Sequence, residues 1–398
     1  MKPPKGWRIR TLEEVAEIQT GLSKSSSRTG EFVRLPYLRV ANVQDGHFDL
    51  SEVKEIDVPT DSVDRFRVRA GDLLLTEGGD FDKLGRGAIW KGEIPNCVHQ
   101  NHLFVVRADE SILDRRFLAS QTQAGHGRAY FQSCSKQSTN LASINSTQLR
   151  QFPVLLPPLP EQQKIADILG MWDEALEKLD ALIAAKARRK QALMQQLLTG
   201  HRRLPGFSTP WRQTTFGQFL TESRIEGSDG LTAQKITVKL YGRGVFAKQE
   251  RMIGSTNTKY FIRRAGQLIY SKLDFLNGAF GIIPSELDGY ESTLDLPSFD
   301  VKPSADVRWL LAYLVRPEFY EKQVGAAAGG RIARRVSPHE FLKLRLKVPD
   351  VTEQRAIAAV LDSADTELRL LRQQRTALDH QKRGLMQQLL TGKIRVPL

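Results

Sequence analysis

From residue 161 onward, apolar side chains recur alternately four and three positions apart: Ile165, Leu169, Trp172, Leu176, Leu179, Ile183, Leu193 and Leu197. Lys186 and Lys190 occupy the seam positions between Ile183 and Leu193. The spacing is a heptad seam held over about five heptads, and it predicts one helix from Glu161 to Leu198. At 1.5 Å per residue such a helix is roughly 57 Å long, the length of a strut. Pro157-Pro158-Leu159-Pro160 opens it, and Gly200 with Pro205 beyond closes it. A second seam runs through Ile357, Leu361, Ala364, Leu368, Leu371, Arg375, Leu378, Lys382, Leu385 and Leu389, predicting a helix from Thr352 to Leu390. The seam lysines Lys186, Lys190 and Lys382 read as register-setting cations whose stems cover the coil.

The two helices are copies. Leu193-Met194-Gln195-Gln196-Leu197-Leu198-Thr199-Gly200 returns unchanged as residues 385–392, an offset of 192. At that offset Glu161-Gln162 falls on Glu353-Gln354, Arg203 on Arg395 and Pro157 on Pro349. A repeat this long is a duplicated half-protein rather than a solenoid unit. Two matched seams in one chain predict an antiparallel coiled coil with pseudo-twofold symmetry.

Each helix follows a block with strand periodicity and turn chemistry. In residues 1–157, Thr11–Gln19 has a short helical pattern. The runs 37–40, 72–75, 88–90 and 103–106 read as strands, with Gly78-Gly79-Asp80 and Gly85-Arg86-Gly87 as exposed loops between them. Residues 206–349 restate this block: Gly6-Trp7-Arg8 is echoed by Pro210-Trp211-Arg212, and Ala70-Gly71-Asp72-Leu73-Leu74 by Ala265-Gly266-Gln267-Leu268-Ile269. The fold class is therefore α+β. Two mixed globular domains (1–157 and 206–349) alternate with helical segments 158–205 and 350–398.

Composition narrows the function. The net charge of +13 is uneven: residues 206–349 carry +7, and the other three segments +2 each. An excess of this sign favours a polyanionic partner, nucleic acid first. Cys97 and Cys134 are far apart, which excludes a disulfide scaffold or cysteine-built zinc site and suits a reducing cytoplasm. No apolar run is long enough for a membrane span, and the first residues do not read as a signal peptide. Phosphate-loop, dinucleotide-fold, amino-methyltransferase and Gly-x-Ser-x-Gly motifs are all missing. His99 and His102 lack acidic or cysteine neighbours at metal spacing, so hydrogen bonding is their expected role and no metal site is assigned. Together these absences point to binding without catalysis.

The loops carry the groups that read base edges, because arginine and lysine match guanine while asparagine and glutamine match adenine. In the first block these are Arg39 and Asn42, Lys83 and Arg86, Gln100, Asn101 and His102, and Lys136, Ser138 and Asn140. In the second they are Lys239 and Arg243, Lys272, Asp274 and Asn277, and Arg331, Arg334 and Arg335. The other readings are a protein–protein adaptor that reads no DNA and a self-contained DNA-modifying enzyme.

With its repeated helix ends, its helix opening Pro158-Leu159-Pro160-Glu161-Gln162-Gln163-Lys164-Ile165-Ala166, its run Tyr37-Leu38-Arg39-Val40-Ala41-Asn42-Val43 and its opening Gly6-Trp7-Arg8, the chain resembles the specificity (S) subunits of type I restriction–modification systems. One departure is Val348-Pro349-Asp350-Val351-Thr352, which lacks the proline cluster at the second helix start. The resemblance implies a non-catalytic subunit that acts in phage defence. Each globular domain would be a target recognition domain for half of a bipartite double-stranded DNA site, with the coiled coil setting the spacer. Ile165, Leu169, Trp172, Leu176, Leu179, Leu193, Leu197, Ile357, Leu361, Leu368, Leu371, Leu385 and Leu389 would form the coil and dock two methyltransferase (M) subunits. It also implies restriction–translocase (R) subunits, with S-adenosylmethionine, ATP and Mg2+ held by partners and none by this chain.

Overall fold

A computed structural model describes residues 3–23, 30–79, 81, 84–137, 142–249, 255–320 and 335–397. Both predicted helices are present as single elements, Leu159–Leu197 and Val351–Leu389, each of 39 residues. The second begins in the same register as the first despite lacking the proline cluster. Asp350 substitutes for the prolines, its carboxylate accepting from the Thr352 hydroxyl and from the Glu353 amide at 2.9 Å, and these bonds hold its pKa below the ordinary value.

The chain divides into two compact units, Met1–Asp180 with Gln373–Leu398, and Ala181–Arg372. Each unit thus contains one globular block, half of the helix that follows it and half of the other helix. Within the first unit the helix segments run antiparallel, with Asp173 paired to Lys382 and Asp180 to Arg375. Within the second, Lys186 pairs with Glu367 and Lys190 with Asp365. The seam lysines therefore fix register against the facing helix. Ile165, Leu169, Leu176, Leu179, Leu197, Ile357, Leu361, Leu368 and Leu389 are buried, and Trp172, Leu193, Leu371 and Leu385 are partly so.

The repeated helix ends pack into the globular cores. Met386, Leu389 and Leu390 join Trp7, Leu12, Phe117 and Ile165 in the first unit's core. In the second, Leu197 and Leu198 join Trp211, Phe216, Trp309 and Ile357. The closing glycines adopt left-handed backbone, Gly200 at φ 75° and Gly392 at φ 66°, and each lies against a tryptophan, Trp211 or Trp7. A side chain there would meet both the backbone penalty and the indole.

Glu161-Gln162 and its copy Glu353-Gln354 explain themselves in this setting. Glu161 is 1% exposed and accepts from Arg395 at 2.6 and 2.7 Å. Glu353 is 0% exposed and accepts from Arg203 at 2.6 and 2.7 Å and from the Trp211 indole at 3.1 Å. The neighbouring glutamines staple helix to block. Gln162 accepts from the Asp114 amide and donates to Pro157, while Gln354 does the same with Asp306 and Pro349.

Both blocks have the same four-stranded antiparallel sheet. Its strand order is Ala16–Thr20, Leu103–Ala108, Leu73–Thr76, Gly87–Ile89 in the first. In the second it is Leu220–Ser223, Ser298–Val301, Leu268–Tyr270, Phe280–Ile282. A two-stranded ribbon joins the beginning and end of each block, Arg8–Thr11 with Pro153–Leu156 and Arg212–Thr215 with Arg345–Val348. Three local expectations are corrected. Thr11–Gln19 is one 3-10 turn, Leu12–Glu14, followed by a strand, because pairing of Ala16–Thr20 with Phe104–Ala108 overrides the weak helical spacing. Gly78-Gly79 is a short strand against Ala142-Ser143. Gly85 and Gly87 are buried, since a Cβ on Gly85 would lie 2.3 Å from the Phe131 ring.

Glu353→Ala should destabilise the protein by about 3 kcal/mol, because it strands a partly buried guanidinium and the Trp211 N–H. Urea unfolding checks this, with Glu367→Ala at the exposed Lys186 pair as comparison, expected to cost under about 1 kcal/mol. Equal losses would show that burial of the Glu353 pair carries no special weight.

Candidate nucleic-acid interface

An inner strand of each sheet leads into a loop junction, and the same three backbone hydrogen bonds frame it in both units. Leaving Leu73–Thr76, the chain reaches Glu77, whose N–H donates to the His102 carbonyl at 3.0 Å and whose carbonyl accepts from Ile144 at 2.9 Å. Leaving Leu268–Tyr270, it reaches Lys272, whose N–H donates to Asp295 at 2.9 Å and whose carbonyl accepts from Val336 at 3.1 Å. One residue earlier, Thr76 N–H donates to Arg86 and Ser271 N–H to Ala279. Backbone bonds of this kind do not depend on side-chain identity, so the frame persists while the loops differ.

In the first unit this junction unites several predicted residues. Gln100, Asn101 and His102 lie on one loop, and Lys136–Gln137 pairs with Ala142–Ser143, which in turn pairs with Gly78–Gly79. His102 Nδ1 lies 2.5 Å from Glu77 Oε2, and the Asn101 amide lies 3.4 Å from His102 Nε2. Glu77 was not among the expected residues. The signal for it was the Ala-Gly-x-Leu echo, which sets Glu77 opposite Lys272. Lys83, Ser138 and Asn140 lie outside the described residues, as do Arg331 and Arg334 of the second block.

Asn42 is corrected from a base reader to a builder of the loop, whereas Arg86 is partly buried and keeps a place on the surface. Asn42 is 2% exposed; its oxygen accepts from the Arg39 amide and its nitrogen donates to Asp49 and Glu52 carbonyls. Arg86 donates to Gln44 at 3.1 Å and borders a cleft with Asp45, His47, Gln123 and Arg128. Arg39 is turned inward too, donating to the Glu52 carbonyl at 3.1 Å.

The second unit gathers its described residues on one surface region. Lys239, Tyr241 and Arg243 are exposed on the loop of the hairpin Ile236–Val238 and Val245–Ala247. That loop is fixed to the next turn by Tyr241 N–H to the Asn277 carbonyl and Gly242 N–H to Gly278, at 2.9 and 2.8 Å. Asp274 caps this turn, accepting from Ser271 and Asn277, so its first role is structural. Arg335 pairs with Asp295 at 3.4 Å, beside Lys272.

The two histidines occupy different environments. His99 is buried, with Nδ1 3.0 Å from the Phe66 carbonyl, while His102 faces Glu77. Among the described residues no group of three or more histidine, cysteine or acidic side chains could hold a metal, and no helix is long and apolar enough to cross a membrane.

Comparison with known proteins follows this geometry. Residues 4–187 match the family described as type I restriction modification DNA specificity domain. A protein named as the MjaX type I restriction enzyme specificity subunit of Methanocaldococcus jannaschii is 22% identical, over 99% of this chain and 95% of its own. Among solved structures, a chain from a study of complex assembly and conformational transition of the type I R-M system aligns with TM-score 0.61 and 16% identity, over 99% and 100% of the two chains. The S subunit of a type I restriction–modification system from M. genitalium aligns with TM-score 0.57 and 14% identity, over 98% and 97%.

His99 supplies a pH check on the loop leading into the junction. Burial lowers its pKa to about 4 from 6.5, so the folded state holds it neutral while the unfolded chain takes up a proton. Its contribution is fully present above pH 6.5 and is lost as pH falls towards 4, by about 2 kcal/mol at pH 5. The difference in unfolding free energy between wild type and His99→Gln, measured from pH 7 to 5, should shrink by about that amount. A constant difference would place His99 in water.

Proposed function

We propose that this chain is a DNA sequence-specificity subunit of the type I restriction–modification family, and that each of its two units reads one half of a bipartite DNA target. The carrying observation is the loop junction built twice on the same backbone bonds with unlike side chains. Two readers of different sequences need this arrangement, whereas an adaptor facing two equivalent partners would keep its loops alike. The +7 charge of residues 206–349 supports contact with phosphates, which supply affinity while base-edge groups supply specificity. The helices set the unspecified spacer and present matched surfaces to two methyltransferase subunits, with restriction–translocase subunits joining that core. S-adenosylmethionine, ATP and Mg2+ belong to those partners, which carry out the chemistry in the cytoplasm.

Co-expression with the cognate methyltransferase subunit and methylome sequencing tests this reading. Asn101→Ala should relax the first half-site alone, and Arg243→Ala should affect the second alone. A change appearing in the opposite half would defeat the modular reading. If wild type confers no sequence-specific methylation and binds random and cognate duplexes equally, the adaptor reading takes its place.

A further inference from the structure

We propose that Glu77 and Lys272 are equivalent specificity residues that read opposite hydrogen-bond polarity, Glu77 accepting from a cytosine amine and Lys272 donating to a guanine. The inference rests on the DNA-reading function above and names the position that carries it in each unit.

The equivalence comes from the backbone. Both residues follow an inner strand of the sheet, and three hydrogen bonds recur around them: the preceding N–H to Arg86 or Ala279, their own N–H to His102 or Asp295, and their carbonyl from Ile144 or Val336. The 195-residue offset between the two is also that of the Ala-Gly-x-Leu echo. On this shared frame the charges are exchanged. The first unit has Glu77 facing His102, whereas the second has Lys272 bonded to the backbone of Asp295, which pairs with Arg335.

An acidic group on a DNA-facing surface is repelled by phosphate, so an electrostatic role in affinity is closed to Glu77. What remains open to an acceptor-only carboxylate is an exocyclic amine; adenine N6 lies beside the N7 acceptor, which a carboxylate cannot satisfy, whereas cytosine presents the N4 donor with no acceptor of its own in the major groove. The Glu77 side chain is 30% exposed, and His102 engages Oε2. That contact orients the carboxylate beside Gly78–Gly79 and its strand partner Ala142–Ser143. Lys272 carries three donors and no acceptor, which matches guanine O6 and N7 and fits no cytosine edge.

Glu77→Gln and Lys272→Gln, each co-expressed with the methyltransferase subunit, are scored by methylome sequencing. Glutamine keeps the size of Glu77 and a hydrogen bond to His102, but adds the donor that matches adenine. Glu77→Gln should therefore lower discrimination about tenfold at one cytosine of the first half-site, with adenine admitted there and the second half unchanged. Lys272→Gln should do the same at one guanine of the second half. The inference is overturned if both variants leave the wild-type motif intact, if the altered positions are A·T pairs, or if a variant of unchanged Tm loses methylation at all sites equally. Failure of the parent reading is distinct, since wild type itself would then show no bipartite motif.

Discussion

A carboxylate taken out of water must find a cation, and in each unit that cation comes from the other end of the chain. Glu161 at the first turn of one helix is neutralised by Arg395, beyond the end of the other, and Glu353 by Arg203. The apolar core has the same dependence, because Met386, Leu389 and Leu390 complete the packing around Trp7 and Phe117. Neither block can close its core or satisfy its buried acid with local sequence alone. The identity of the repeated helix ends follows: each copy must fit a tryptophan, a glycine turn and a buried core built to the same plan. Such contacts close loops of well over a hundred residues, which makes folding of each unit a late, cooperative event.

With that frame fixed by helix and backbone, the interiors of the blocks solved their polar problems separately. In the first, buried Asp72 accepts from Arg107 at 2.7 and 2.9 Å. The second has Gln267 at the corresponding position, donating to Asp300, while Arg263 is 1% exposed and donates to Ser223, Ser292 and Ser298, with no ion pair to a carboxylate among the described residues. Burial lowers the Arg263 pKa to about 10, a cost met by full hydrogen bonding. Divergence thus reaches the sheet underside as well as the loops, and what stays constant is strand order and the loop junction.

The helices were legible in the sequence to within two residues because a heptad seam is a long, redundant signal, and the duplication doubled it. The family resemblance came from the same segments together with the run Tyr37–Val43 and the opening Gly6-Trp7-Arg8. The site was legible in composition but not in geometry. Asn42 has the chemistry of a base reader, yet local backbone carbonyls claim it, and no residue-type argument separates a satisfied asparagine from a displayed one. Glu77 escaped notice for the opposite reason: acids are discounted on a surface expected to meet phosphate. Only the long-range bonds from His102 and Ile144 place it at the junction.

The uneven charge then acquires a meaning under the proposed function. Residues 1–158 are nearly balanced and put an acid, Glu77, at their loop junction; residues 206–349 carry +7 and put a lysine there. Phosphate contacts release counterions and give affinity without sequence information, whereas an acid near phosphate costs affinity and returns only discrimination. The second unit is thus suited to supply most of the salt-sensitive hold on the duplex. The first, carried on the same chain, can tolerate a weaker and more selective surface. A chain that reads two half-sites needs the sum of the two affinities to suffice, so duplication permitted one copy to trade affinity for selectivity.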